Sequence, residues 1–467
     1  MQDSLPYEMI ENRPFDELQI GDSAHLSRTL TAADIALLAT LLGDVNQPAA
    51  DQAYGHSTQF HGIVAHGMWG GALIATLLAT ELPGPGTIFL EQNLRYLRPI
   101  HAGDTLEVHV SVQRKDASNH QITLDCGCTD QHGADIISGT ALVIAPRDKI
   151  RRARVAPMQL RVWDTTLRYR QLLAMTSGLP PITVAVVHPC SADALQGALA
   201  AAEAGLITPI LVGPEQKIRA IASAAGIDLH GQRIVDAAHS HAAAALGVAM
   251  ARNGTVQALM KGSLHTDELM AAVVHLTTGL RTERQISHVY VLDVPSYPKS
   301  LLISDAAINI EPDLDAKCDI VRNAIDLAHA IGIAVPKVAI LAAVETVNPK
   351  MRSTIDAAAL CKMAERGQIT GAMVDGPLAF DNAISAQAAQ DKGIVSPVAG
   401  AVDILIAPDL EAANMIAKQL QYLADAQSAG LVMGARVPII LTSRADGAHA
   451  RVASCALALL AAKATAV

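Results

Sequence analysis

Aromatic side chains are scarce. Four Phe, two Trp and seven Tyr make 3% of 467 residues, although 51% of the chain is apolar. A core so short of rings must be filled by Ala, Val, Leu and Ile, which suits helices packed closely on buried strands and excludes a disordered chain. Positive charge is also short: 35 Lys and Arg stand against 45 Asp and Glu, a formal net charge of −10. That argues against a nucleic-acid binder, because phosphate backbones demand concentrated basic residues. A small anion needs only a few Arg at one cleft, so it is not excluded. The six cysteines (Cys126, Cys128, Cys190, Cys318, Cys361 and Cys455) are scattered. Only Cys126 and Cys128 are close, and they lack the further Cys or His of a metal site, so core thiols and no metal are expected. No uninterrupted apolar run reaches the ~18 residues of a membrane span, and Asp3, Glu8 and Glu11 do not suit a signal peptide. The expectation is a cytoplasmic protein with no membrane partner. No GxxxxGK[ST] segment occurs, and no GxGxxG follows the first strand of either region described below, which counts against kinases and dehydrogenases.

What is present falls into two regions with different rhythms. Leu106, Val108, Val110 and Val112 alternate with polar residues, and Ile122, Leu124 and Cys126 repeat the pattern after the turn-like Asp116–Asn119 segment. Together with Ile136–Ile144 these predict an antiparallel meander with one wet face. Val64–Leu82 is nearly all small or apolar and ends in Pro83-Gly84-Pro85-Gly86, which predicts a buried central helix. One helix wrapped by an antiparallel sheet is an α+β hot-dog arrangement, expected over residues 1–146. Residues 147–180 crowd Arg147, Lys149, Arg151, Arg152 and Arg154, and then the Arg168-Tyr169-Arg170 triplet, into a basic linker. Solvation or contact with a nucleotide phosphate would explain it.

From residue 181 to 467 the rhythm becomes strand, loop, helix. Buried-strand runs are read at Ile182–Val187, Pro209–Val212, Gln257–Met260, His288–Leu292, Leu301–Ser304, Lys337–Ala342, Ile369–Val374, Ile404–Ala407 and Pro438–Leu441. Ala- and Leu-rich helical stretches separate many of them. This predicts an α/β region of two lobes with mostly parallel sheets, and ligand loops at the C-terminal ends of strands.

The most informative loop is Thr442-Ser443-Arg444-Ala445-Asp446, between the last strand and the last helix. A helix start offers unpaired amides and a positive dipole end, and an Arg and a hydroxyl at the same point make phosphate the natural guest. The plain alternative is that Ser443 or Asp446 caps the helix while Arg444 faces solvent. Asp375-Gly376-Pro377, with Asp381 and Asn382, offers carboxylates expected close to that loop, or simple turn chemistry. Lys261 in Lys261-Gly262-Ser263, and Arg281 in Thr277–Thr282, are further phosphate candidates or exposed turn residues.

These loops resemble the phosphate acetyl/butyryl transferase family, through Val437–Asp446, Val374–Ala383, Val347-Asn348-Pro349-Lys350-Met351 and Ile303–Asn309, and the resemblance spans nearly all of 180–465. It implies a ternary complex in which a carboxylate helps ionise the thiol of coenzyme A (CoA) and the thiolate attacks an acyl phosphate. It also implies that Ser443 hydrogen-bonds the reacting acyl group while Arg444 steadies phosphate charge. Acetyl-type members place the base further into the final helix, where this chain has His449-Ala450-Arg451, so Asp446 is the substitute candidate. Acyl-CoA and phosphate are then substrates, and no bound cofactor is expected.

Gly43-Asp44-Val45-Asn46, Ala65-His66-Gly67-Met68-Trp69 and Leu90–Pro99 resemble the MaoC-like (R)-specific enoyl-CoA hydratases, over about residues 12–145. In that family an Asp and a His five residues later activate water, and an amide at the start of the central helix polarises the thioester. Asp44 and Gly67 match the first and third roles, with Asn46 and His66 beside them. Five residues after Asp44, however, stands Ala49. The resemblance therefore implies a hydratase-like module impaired in catalysis, which binds acyl-CoA or serves a homo-oligomer. A two-activity enzyme and a non-catalytic acyl-CoA sensor are the alternatives.

Overall fold

The computed structural model describes residues 9–43, 65–154, 166–442 and 446–464. Two compact units divide the chain, Met1–Trp163 and Asp164–Val467.

In the first unit, alternating residues pair as antiparallel strands in the order Ser23–Thr29, Thr105–Asp116, Gln121–Thr129, Asp135–Ile144, Ile88–Tyr96. The inward set, including Leu106, Val108, Val110, Ile122 and Leu124, is fully buried. It closes on the helix Met68–Thr80, whose Leu73, Ile74, Leu77 and Leu78 supply the other side of the core. The expected meander and central helix are both present. Cys126 and Cys128 are core thiols, pushed up by burial to about 12 and about 11. Within the basic stretch, Arg151–Ala153 pairs as a strand with Met9–Glu11. Its charges meet carboxylates of the same unit: Arg151 with Glu11 at 3.0 Å, Lys149 with Glu17 at 2.8 Å and Arg154 with Glu81 at 2.9 Å.

The second unit opens with the helix Leu167–Met175 and is built on one 11-stranded sheet. The strand order is Arg233–Asp236, Ile207–Gly213, Ile182–Val187, Ala258–Lys261, Ile439–Ile440, Gln427–Met433, Ser287–Asp293, Leu301–Ser304, Ile404–Ile406, Lys337–Leu341, Met373–Leu378. The first five are parallel to one another, and so are the last four. Gln427–Met433 and Ser287–Asp293 join the two sets through three antiparallel pairings, so the sets run in opposite directions. One face of the sheet carries a continuous core beneath the helices Ala192–Glu203, Leu314–Ala330, Arg352–Glu365 and Ala448–Ala464. The other face carries two separate clusters, one around Val187, Leu259 and Leu441 and one around Tyr290, Ile303 and Leu405. The expected two lobes thus share a sheet and separate on one face.

Three strand assignments in this unit need correction. Arg233–Asp236 and Gln427–Met433 are strands that the sequence reading lacks, the first because it is short and carries charges at both ends, the second because Gln, Ser and Gly interrupt its apolar run. The run read at Ile369–Val374 is displaced to Met373–Leu378, so Asp375, Gly376 and Pro377 lie inside a strand rather than in a loop after one. Pro377 is tolerated there because this is the sheet edge, where a missing N–H breaks no ladder.

Candidate functional site

The strand Ile439–Ile440 leaves the sheet at Leu441, whose amide still reaches the Gly430 carbonyl at 3.4 Å. Thr442 follows, buried at 3% exposure. Ser443 and Arg444 lie outside the described residues. The chain is described again at Asp446 and enters the 17-residue helix Ala448–Ala464, whose first-turn amides have no carbonyl partner within the helix and form its positive dipole end.

Sequence reasoning missed the residue that fixes this corner. Arg451, only 4% exposed, donates from Nη1 to Thr442 Oγ1 at 3.0 Å. Its stem lies against Gly197 in the helix Ala192–Glu203: a Cβ on Gly197 would stand 2.2 Å from Arg451 Cδ. The signal was available, because Arg451 heads a run to Ala461 that is otherwise apolar apart from Ser454. A guanidinium on such a face has to be paired inside.

Lys261 ends the neighbouring strand, on the face of Leu259 and Leu441 and opposite the face of Met260, Ile440 and the final helix. Met260 pairs with Ile440, so Lys261, one residue further along the parallel neighbour, stands level with Leu441. It is 4% exposed, not the exposed turn residue that was the alternative. Asp446 lies near Tyr290: burial first, and then the Asp446 charge, push the Tyr290 phenol up to about 12. Tyr290 therefore stays protonated at neutral pH. Beside the start of the helix, His449 and Ala450 line a cavity of about 680 Å³. Its polar wall includes Arg168, Tyr169 and Ser428, and Val291 and Ala429 are among its apolar residues. Arg168 is held by the Asp293 carboxylate and the Tyr297 carbonyl, and Tyr169 stacks obliquely on His449 with ring centroids 5.3 Å apart.

The structure does not bring the other candidates here. Asp375 is level with Leu441 in register but six strands away, roughly 29 Å along the sheet at ~4.8 Å per strand. Its Oδ1 accepts the Gly376 amide at 2.8 Å. Asp381 lies beyond that strand and pairs with Lys392 at 3.1 Å. Their expected closeness to Thr442 is corrected by the topology, since the two parallel sets point their C-terminal ends at opposite edges of the sheet. Arg281 bridges to Ala435, at the end of the Gln427–Met433/Ile439–Ile440 hairpin away from Thr442. Asp305, in the Ile303–Asn309 motif, is a turn builder. Its carboxylate accepts the amides of His288, Ala307, Ile308 and Asn309 at 2.9–3.2 Å, and burial nonetheless holds its pKa above the usual range.

In the first unit, Asp44, Asn46 and Ala49 lie outside the described residues. His66 Nδ1 accepts the amide of Met68, the first residue of the central helix, at 3.2 Å. Gly67 is exposed at that helix start.

The comparisons with known proteins agree with this division. Residues 239–459 match the family described as "Phosphate acetyl/butaryl transferase", and residues 18–129 match the "MaoC like domain". A phosphate acetyltransferase of Rhizobium meliloti is 61% identical over 293 residues, covering 63% of this chain and 93% of that protein. A phosphate butyryltransferase of Clostridium beijerinckii is 41% identical over 292 residues, covering 62% and 97%. The crystal structure of a branched-chain phosphotransacylase from Enterococcus faecalis V583 superposes with a TM-score of 0.53 at 28% identity, over 60% of this chain and 99% of that one. A MaoC-like hot-dog unit thus precedes an acyltransferase unit. The chain belongs to the phosphate acetyl/butyryl transferase family and is a phosphate acyltransferase.

Proposed function

We propose that the second unit exchanges an acetyl or butyryl group between CoA and inorganic phosphate at the Thr442–Asp446 corner. The observation that carries this reading is buried Thr442, bonded by Arg451 of a long helix at the end of its strand, with the start of that helix lining a cavity of about 680 Å³. That volume suits a pantetheine arm. In the direction that consumes acyl phosphate, Asp446 takes the thiol proton and the sulfur attacks the carbonyl carbon. The tetrahedral oxyanion is met by Ser443, the C–O bond to phosphate breaks, and Arg444 takes up the charge on the leaving phosphate. A thiol with a pKa of about 8.5 needs only modest assistance. No bound cofactor is required. Thiol release from acetyl-CoA and butyryl-CoA with and without phosphate tests the assignment. Ser443→Ala and Arg444→Ala are each expected to lose roughly 10²–10³ in kcat, and undiminished turnover in both discards it.

The first unit is read as a hydratase-like module impaired in catalysis. Ala49 replaces the expected second acid/base group, and the His66 Nδ1 is engaged by the Met68 amide. Loss of such a group costs roughly 10²–10⁴ in rate. Following crotonyl-CoA absorbance with the full chain tests this, and hydration at a rate typical of enzymes would overturn it. We assign the module to residues 1–146 and the transferase to 181–467, joined by the basic stretch 147–180. A cytoplasmic homo-oligomer is proposed: the sheet-edge strand Ile88–Tyr96 exposes Ile88, Phe89, Leu90 and Tyr96, which favours a second copy across that edge.

A further inference from the structure

The helix Leu167–Met175 has little of its own to hold it in place. It is nine residues long and none of its side chains is fully buried. A helix so short is marginal in isolation, so tertiary contacts must fix its position. Tyr169, Leu172 and Leu173 pack on the core that includes the final helix, and the Tyr169 ring meets that of His449. Arg168 supplies a polar clamp. Its Nη1 donates to Asp293 Oδ1 and, at 3.4 Å, to the Val294 carbonyl, and its Nη2 donates to the Tyr297 carbonyl. The Arg168 and Asp293 side chains are only 20% and 19% exposed, so water screens this pair far less than an ordinary surface ion pair.

What the clamp positions is one wall of the cavity of about 680 Å³. Helical spacing puts Arg168, Gln171, Leu172 and Met175 on one face of the helix, and all four line that cavity. The facing wall is made by the sheet and the start of the final helix, through Val291, Ala429 and Ala450. Leu431 pairs with Ile440 in the antiparallel hairpin, so Ala429 stands level with Thr442. The cavity therefore reaches the strand ends at which the proposed site begins. Its walls mix apolar surface with the side-chain amides of Gln171 and Gln427. That mixture suits a pantetheine arm, which alternates methylene groups with amides, better than it suits a bare hydrocarbon chain, which would leave those amides without partners.

We propose that the helix Leu167–Met175 is a wall of the CoA site and that Arg168 is its positioning residue: the clamp on Asp293 and the Tyr297 carbonyl holds Leu172 and Met175 against the pantetheine arm. The inference rests on the reading that acyl transfer takes place at the Thr442–Asp446 corner. It carries the working part of the transferase back into the basic stretch ahead of residue 181. Arg168 then has a role that is neither solvation nor contact with a nucleotide phosphate.

The test compares Arg168→Met, Arg168→Lys and Met175→Ala in the full chain. It reads kcat, the KM for phosphate, acetyl-CoA and butyryl-CoA, the KM for free CoA with acetyl phosphate as co-substrate, and thermal unfolding. Arg168→Met keeps an unbranched stem and removes the guanidinium. Its KM for acetyl-CoA, butyryl-CoA and free CoA should each rise roughly tenfold, the scale of a charge-assisted bond. The kcat and the KM for phosphate should stay within about twofold, the signature of lost uniform binding. Arg168→Lys keeps the charge but not the planar fork, and should lie between parent and Arg168→Met. Met175 is 41% exposed, so it can be trimmed without disturbing the clamp or the core. Met175→Ala should raise the same three CoA values roughly threefold, and it decides the matter if Arg168→Met does not fold. Unchanged KM values for the CoA substrates overturn the proposal. So does a fall in kcat with those values unmoved, the result of a clamp that serves folding alone. A rise seen with butyryl-CoA but not with free CoA would put the acyl chain against this helix, and overturns it as well. If Ser443→Ala and Arg444→Ala retain full turnover, the site assignment has failed. If they lose it while Arg168→Met and Met175→Ala bind CoA as the parent does, only the role given to this helix has failed.

Discussion

Gly197→Ala is the most informative single perturbation of the acyltransferase unit, because two opposing effects can be weighed at one methyl group. Gly197 is interior to the helix Ala192–Glu203, where replacing Gly with Ala ordinarily stabilises by about 1 kcal/mol. Here the new methyl would stand 2.2 Å from Arg451 Cδ, 3.1 Å from its Cβ and 3.2 Å from its Cγ. Those contacts involve the root of the side chain as well as its middle, so rotating the far end cannot relieve them. Overpacking of this kind costs roughly 1–3 kcal/mol. If the guanidinium is driven from Thr442, a charge-assisted bond worth roughly 1.5–3 kcal/mol goes as well. The steric and bonding terms outweigh the propensity gain, and a net loss of about 2–4 kcal/mol is expected. Phosphate-dependent turnover should fall with it on the proposed assignment, because Thr442 is the residue from which the proposed catalytic loop departs. Urea unfolding and thiol release read the two consequences separately. Arg451→Met, with an unbranched and flexible stem, should absorb much of the methyl's clash, so the double variant should be less destabilised than the sum of the singles. A Gly197→Ala protein with a raised urea midpoint and unaltered kcat would refute the account, as would strict additivity in the cycle.

His288 also predicts an acid sensitivity. Its pKa falls from an ordinary 6.5 to about 4 on folding, so the unfolded chain binds the proton more readily, and stability should decline as pH drops from about 6.5 toward 4. A shift of that size corresponds to on the order of 3 kcal/mol, and His288→Phe should flatten this part of the stability–pH curve; an unchanged slope would argue against it. Asp381→Asn removes the carboxylate that pairs with Lys392 on the surface beyond the edge strand Met373–Leu378. Turnover should stay within about twofold, the range of a distant surface change, and a large loss of activity would restore Asp381 to the site.

Much of this organisation could be read from residue order. Period-two alternation at Leu106–Val112 and Ile122–Cys126 is visible because one face of each strand is wet, and Ile182–Val187 and Leu301–Ser304 because their apolar runs are short and uninterrupted. Gln427–Met433 escaped notice because a small residue at Gly430 is required by Leu441 and His288 across the sheet, and such a requirement has no local signature. Arg451 escaped because its partner Thr442 and its packing surface Gly197 meet it only after folding. The loop Thr442–Asp446 stands out as a candidate in the sequence for the opposite reason. A hydroxyl, a guanidinium and a carboxylate between a strand end and a helix start state their chemistry without tertiary context.

The misplacement of Asp375 and Asp381 has a deeper cause than a displaced strand. Treating every strand–helix loop of a parallel α/β chain as a contributor to one crevice assumes that all strands point the same way. Here Gln427–Met433 and Ser287–Asp293 insert antiparallel pairings between two parallel sets, which reverses one set relative to the other. The chain therefore has two groups of C-terminal loops on opposite edges. Thr442 and Lys261 belong to one edge, and Asp305 and Asp381 to the other. At Asp305, where the bonding is dense, the carboxylate is spent on four backbone amides of its own neighbourhood. The Ile303–Asn309 motif thus specifies a turn, while the Thr442–Asp446 motif is the one proposed as the site. Motif resemblance weighs both alike; hydrogen bonding gives the first its structural work.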